Sequence, residues 1–220
     1  MRDKVDRGVS LGAQVADIIR QRIVRGELRP GDRLTEEGVA EEFQVSRGPV
    51  RDAVSQLSYE GLVEVRRPRG IYIIGLTADD VEQLYSLRAA LERLAVNRAA
   101  EVRDDEAWQP MRDCVERMAA AADEGDHPAF QRADVRFHSL FYEMARHPRL
   151  LATWRQYEPT FAALLDVTIN HDDDLHESAE AHRRLYDLVR GEDRGALERE
   201  LVDHLKRAED RMRLELLSRS

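Results

Sequence analysis

The chain of 220 residues has little of what marks several protein classes. It holds one cysteine, Cys114, so no internal disulfide can form, as expected of a protein from a reducing cytoplasm. No apolar run approaches the ~18 residues that would mark a membrane span. The opening "MRDKVDRGVS" lacks the apolar stretch of a secretory signal, so no membrane partner is expected. Aromatic residues make up only 6% of the chain against 35% charged, which points to solvated helices. There is no net positive charge either. At −9 the chain is not a simple polyanion binder.

The charge that is present is uneven. Residues 1–76 carry 13 Lys and Arg against 12 Asp and Glu, whereas the remainder carries 21 against 31. A near-neutral first third joined to an acidic remainder predicts two modules, 1–76 and 77–220, with different work.

The first module reads as helices that give way to strands. "SLGAQVADIIRQRIVRGEL" has Val15, Ile18, Ile19, Ile23 and Val24 at helical spacing, with Ser10 as N-cap and Gly26 as stop. "RPGDRL" is a turn. "TEEGVAEEFQ" is a short helix capped by Thr35, and "VSRGPVRDAVSQLSYEG" is the next, capped by Ser46 with Pro49 in its first turn. The period then changes. Leu62, Val63 and Val65 form one β-like run and Ile71 to Ile74 another, with "RRPRG" as the hairpin tip. Three helices, the last two joined by a short turn, and a two-stranded wing make a winged helix-turn-helix.

The third helix carries the chemistry. Val50, Val54 and Leu57 share its inner face, while Arg47 and Arg51 stand one turn apart on another, with no acidic partner on their N-terminal side. A recognition helix enters the major groove N-terminus first, and arginine there forks onto guanine O6 and N7. Gly48 lets backbone approach phosphate, and the helix N-terminus adds its own attraction for an anion. The plain alternative is a pair of solvated arginines. The stretch "LTEEGVAEEFQVSRGPVRDAVSQLSYEGLVEVRRPRGIYI" resembles the DNA-binding domain of the GntR superfamily of bacterial transcription regulators. The match falls at Leu34, Glu36, Ala40, Val45 to Arg47, Pro49 to Arg51, Glu60 to Val63 and Arg69-Gly70. The resemblance implies that Arg47 and Arg51 read bases, while Ser46 and the wing at Arg69 and Gly70 hold the DNA backbone. Gly48 stands where that family commonly has threonine, and Glu37 where some relatives have arginine.

From Thr77 onward no strand signal appears. The patterns predict six helices in an antiparallel bundle, with Pro110 near a first turn or at a kink and Pro159 at a kink. Ionisable residues sit on the apolar stripes. Asp134 and His138, at i and i+4, lie with Phe130, Phe137 and Phe141. His182 lies with Ala179, Leu185, Tyr186 and Val189, and His204 with Leu197, Leu201, Leu205 and Ala208. A buried carboxylate is costly unless paired or metal-bound. One Asp and three His supply four N/O donors for a divalent metal such as Zn, Ni or Mn. The alternative is a set of hydrogen-bonded core histidines. His127, His147, His171 and His176 read as surface residues near helix ends or in loops.

The second module is similar to the effector domain of the FadR subgroup, the FCD type. Its metal-holding members carry Asp-x-x-x-His and two further histidines where this chain has "DVRFH", "EAHRRLYDLVRGED" and "DHLKRAE". The resemblance implies Asp134, His138, His182 and His204 as ligands. It also places Arg88, in "LRAALERLA", where an arginine meets an effector carboxylate. Arg88 borders the stripe Leu84, Leu87, Leu91 and Leu94, and a salt bridge to Glu92 at i+4 is its other reading. The expected protein is a dimeric, metabolite-responsive repressor on a palindromic operator of double-stranded DNA, answering to a small carboxylate or hydroxy acid. Two other readings are a metal-dependent all-helical hydrolase and a DNA-binding scaffold with a purely structural metal. The hydrolase needs a general base beside the metal, and no further carboxylate on the stripes serves.

Overall fold

A computed structural model describes residues 10–66, 70–170 and 174–218. The chain divides into two compact units, Met1–Thr77 and Ala78–Ser220.

The first unit runs α1 (Leu11–Val24), β1 (Arg33–Leu34), α2 (Glu36–Phe43), α3 (Arg47–Tyr59), β2 (Val63–Arg66) and β3 (Gly70–Ile73). Ser10 starts α1 by accepting the Ala13 N–H at 3.2 Å, and Thr35 starts α2 through the Gly38 N–H at 3.0 Å. Gln44, left-handed at φ 55°, ends α2 and leaves only Val45 and Ser46 before α3. Residues spaced to share a face do so. Val15, Ile19 and Ile23 of α1, Val39 of α2, Val50, Ala53, Val54 and Leu57 of α3, and Ile71 and Ile73 of β3 form one core. Each large side chain there contributes about 1.5–3 kcal/mol by leaving water. Gly12 sets how near α1 lies to α3, because a Cβ there would meet the Asp52 Cβ at 2.8 Å and the Pro49 carbonyl oxygen at 3.2 Å.

Two expectations change here. The wing has three strands, ordered β1-β3-β2 and antiparallel throughout, not two. Arg33 and Leu34 pair with Tyr72 and Ile71, but a strand of two residues shows no alternation in sequence and read as turn. Ser46 is the N-cap of α3 by position and has extended backbone, yet its hydroxyl makes no capping hydrogen bond. The structure also adds a buried ion pair. Arg20, 1% exposed, holds Glu60 through Nε at 2.6 Å and Nη2 at 2.7 Å, and also bonds Asp17. Burial works against the Arg20 charge, but Glu60 and Asp17 outweigh it and its pKa is raised. The pair ties α1 to the end of α3.

The second unit contains α4 (Ala78–Ala99), a 3-10 turn at Glu106–Trp108, α5 (Gln109–Glu124), α6 (His127–Met144), α7 (Pro148–Asn170), α8 (Leu175–Arg190) and α9 (Arg194–Ser218). Pro110 sits in the first turn of α5, where its missing N–H costs nothing. α7 continues through Pro159 as one helix. Short connections make α5, α6 and α7 sequential neighbours, and α4 lies against both α6 and α9. No helix among the described residues is long and apolar enough to cross a membrane.

The inner face of α4 differs from the one its leucines suggested. Val81, Tyr85, Arg88, Glu92, Ala95, Val96 and Ala99 are buried, while Leu84, Leu87 and Leu91 are half-buried and Leu94 is exposed. Hydrophobicity alone chose the wrong stripe, because the buried face carries an ion pair.

Candidate metal centre and nucleic-acid interface

Three helices bring their ionisable residues to one place. Asp134 and His138 come from α6, His182 from α8 and His204 from α9, and all four are buried. The three imidazoles each offer a ring nitrogen within 4.8 Å of the others. Nε2 of His204 lies 3.2 Å from Nε2 of His138, Nε2 of His182 lies 3.2 Å from Asp134 Oδ2, and Nε2 of His138 lies 3.5 Å from Asp134 Oδ1. Zn–N bonds of about 2.0 Å at tetrahedral angles would place donor atoms about 3.3 Å apart.

Proton placement explains why these atoms face one another. A carbonyl or carboxylate oxygen only accepts, so any ring nitrogen bonded to one must carry the hydrogen. His182 Nδ1 donates to the Ser178 carbonyl at 2.7 Å. Its Nε2 then carries a lone pair, and although it is only 3.2 Å from Asp134 it is buried with no hydrogen-bond partner among the described residues. His138 Nδ1 donates to Glu92 Oε1. Its Nε2 lone pair also points inward. Two lone pairs and a carboxylate converge in a buried space, and an acceptor cluster of that kind suits a cation. The residues therefore fit a divalent metal with N/O preference.

The electrostatics agree. Burial pushes the Asp134 carboxyl up, but the His182 and His138 imidazoles and the Arg88 guanidinium outweigh it and hold it at about 2. Burial, then His182, His138 and Arg88, push His204 well below its ordinary value. His138 is lowered chiefly by burial, with Glu92 opposing. Neutral imidazoles and an ionised carboxylate are the forms that ligate metals.

Arg88 lies beside this cluster. Its Nε bonds Glu92 Oε2 at 3.0 Å, and its guanidinium carbon lies 5.2 Å from the Phe161 ring centre and 5.9 Å from that of Trp154. Its two Nη groups have no hydrogen-bond partner among the described residues. The Tyr142 hydroxyl, also buried, has none either. Sequence reasoning met Glu92 only as a possible partner of Arg88. Its place at i+4 was the available signal, but nothing in the chain revealed that α6 delivers His138 to it across 46 residues. Of the remaining histidines, His176 is exposed and His171 lies outside the described residues. His127 and His147 are half-buried, and His147 Nδ1 accepts the Leu150 N–H at 3.2 Å, capping α7.

In the first unit Ser46, Arg47, Gly48 and Arg51 gather at the N-terminus of α3 and are exposed. The two arginines are not without acidic neighbours. Arg47 Nη2 pairs with Glu37, and Arg51 Nε with Glu36 Oε2 at 2.9 Å. These partners come from α2, 10 and 15 residues earlier in the chain, so the expectation of no acidic partner on the N-terminal side is corrected. Gly70 opens β3 with φ 112°, and a Cβ there would lie 3.0 Å from Arg33 Nε. Arg66 of β2 stacks on Tyr72 at 4.9 Å. Arg69 lies outside the described residues.

Comparison with known proteins agrees with both halves. Residues 11–73 match the bacterial regulatory proteins of the gntR family, and residues 83–207 match the FCD domain. The chain is 29% identical over 178 residues to the gluconate operon transcriptional repressor of Bacillus licheniformis, covering 81% of this chain and 72% of that one. It is 29% identical over 196 residues to a probable D-xylose utilization operon transcriptional repressor of Paenarthrobacter nicotinovorans, covering 89% and 86%. Among solved structures, Escherichia coli McbR/YncC superposes with a TM-score of 0.72 at 20% identity, covering 94% of this chain and 99% of that one. These relatives are regulators rather than enzymes, and nothing favours the hydrolase. With a winged helix-turn-helix followed by a helical FCD domain, the chain belongs to the GntR family of transcription regulators.

Proposed function

We propose that the protein is a repressor that binds a palindromic operator as a homodimer and responds to a small carboxylate or hydroxy acid in a metal-containing cavity of the second unit. The observation that carries this reading is the buried cluster of acceptor atoms from Asp134, His138, His182 and His204 with the unfilled Nη donors of Arg88 beside it. Those four side chains would hold a divalent ion, with Zn, Ni and Mn the leading choices. The ion supplies a Lewis-acid centre with affinity for oxygen ligands. Arg88 adds a guanidinium matched to a carboxylate.

In the first unit, Arg47 and Arg51 read guanine edges, and Ser46, the backbone at Gly48 and the wing at Arg69 and Gly70 hold phosphates. The Ser46 hydroxyl supports this assignment, as it makes no capping hydrogen bond to α3. Residues 1–76 thus read DNA and 77–220 bind effector and dimerise, both in the cytoplasm where the operator lies. The effector shifts the DNA-binding equilibrium only by its differential affinity for the two states.

A binding map of the purified, metal-loaded protein against fragmented genomic DNA of its source tests this. Sharp peaks sharing one palindrome are expected, with release by a carboxylate from a panel beginning with gluconate and related hydroxy acids. Binding without sequence preference would refute the operator reading. Release that persists after Asp134→Asn abolishes metal binding would make the metal structural.

A further inference from the structure

Glu92 joins the two parts of the candidate effector site. It is fully buried on α4, with one carboxylate oxygen on His138 Nδ1 and the other on Arg88 Nε at 3.0 Å. The three ligand histidines are not equally supported. His182 donates its Nδ1 hydrogen to a backbone carbonyl, whereas His204 makes no such contact among the described residues. Among the described residues, only His138 has a carboxylate behind it.

We infer that Glu92 is a positioning residue of the metal centre, which locks His138 in the tautomer that presents Nε2 to the ion and strengthens that nitrogen as a donor. This rests on the metal reading above. A neutral imidazole carries one hydrogen. With that hydrogen held at Nδ1 by Glu92, the Nε2 lone pair is fixed toward Asp134 and His204. A carboxylate behind an imidazole also raises ligand basicity more than a carbonyl does, and loss of such a partner typically costs 10–100-fold in metal affinity. The ring is held from its sides as well, edge-on to Phe137 at 5.4 Å between centres, so orientation and tautomer are set together.

Zinc titration against a chromophoric chelator, on the full chain and on Glu92→Gln, tests the inference. Glutamine keeps the volume and an acceptor but removes the charge. The expected result is one zinc per chain in the wild type and 10–100-fold weaker binding in the variant. Equal affinity in folded variant and wild type would overturn the inference. A merely structural role for Glu92 would lower the thermal midpoint of the metal-free variant while leaving its zinc affinity unchanged. If the wild type itself binds no zinc, nickel or manganese, it is the metal reading that fails. Should the variant not fold, nitrogen-15 NMR of histidine-labelled wild type decides. His138 protonated at Nδ1 in the metal-free protein is expected, and protonation at Nε2 overturns the assignment.

Discussion

The arginines at the head of α3 and the arginine under α4 are both paired with glutamate, and the two settings give the pairs opposite characters. Arg47 and Arg51 are 58% and 66% exposed, and their partners Glu37 and Glu36 are exposed too. Such pairs contribute about 0–1 kcal/mol, so DNA phosphates and bases can replace them at little cost. Arg88 and Glu92 are 6% and 0% exposed, and the side chains of the candidate metal centre nearby are buried too. A charge there cannot be left alone without a penalty of several kcal/mol. The exposed pairs can be exchanged for other partners, as the proposed reading role of Arg47 and Arg51 requires, while the buried ones hold a geometry. Arg20 and Glu60 show that the first unit uses the second strategy as well.

The comparison breaks most visibly if the buried pairs are dispensable. Glu60→Ala leaves Arg20 buried with only Asp17, which should cost about 3–5 kcal/mol in denaturant unfolding of the first unit. A loss under 1 kcal/mol would place that pair with the surface ones. Metal removal comes next. If the ion binds as proposed, chelation should lower the thermal midpoint of the second unit, by about 4 kcal/mol in stability for metal present at a thousand times its dissociation constant. An unchanged midpoint in calorimetry would remove the cluster from the metal sites.

Arg51→Ala should cost about 1–3 kcal/mol at one base pair of the operator and relax specificity there, as read by competition among single-base variants. Uniform weakening across all variants would make Arg51 a phosphate contact instead. The smallest effect is expected of Glu37→Gln. Freed from its partner, Arg47 should gain less than about 1 kcal/mol toward DNA of any sequence. Testing the same change in an Arg47→Ala background separates the pair from the general loss of a negative charge, since the gain should shrink there.

Regular periodicity made most of the architecture legible. Val15, Ile19 and Ile23, or Phe130, Phe137 and Phe141, repeat at the helical period and are buried together. Where burial was polar, the same reasoning failed. The leucines of α4 looked like its inner face, yet Arg88 and Glu92 point inward because they pair with each other and with His138. The third strand of the wing escaped notice because Arg33 and Leu34 are too few to show a period, and their pairing depends on β3 arriving from 37 residues away.

By itself the sequence determined the helices of both units, the winged character of the first and the helical character of the second, and it marked Asp134, His138, His182 and His204 as ionisable residues on apolar stripes. These follow from local spacing, which fixes faces on a helix or strand. Only the tertiary structure decided that Asp134, His138, His182 and His204 share one space, that Glu92 stands behind His138, and that Glu36 and Glu37 pair with Arg51 and Arg47. Those relations join residues on different helices. Their distance depends on how the helices pack, which no spacing along one chain encodes.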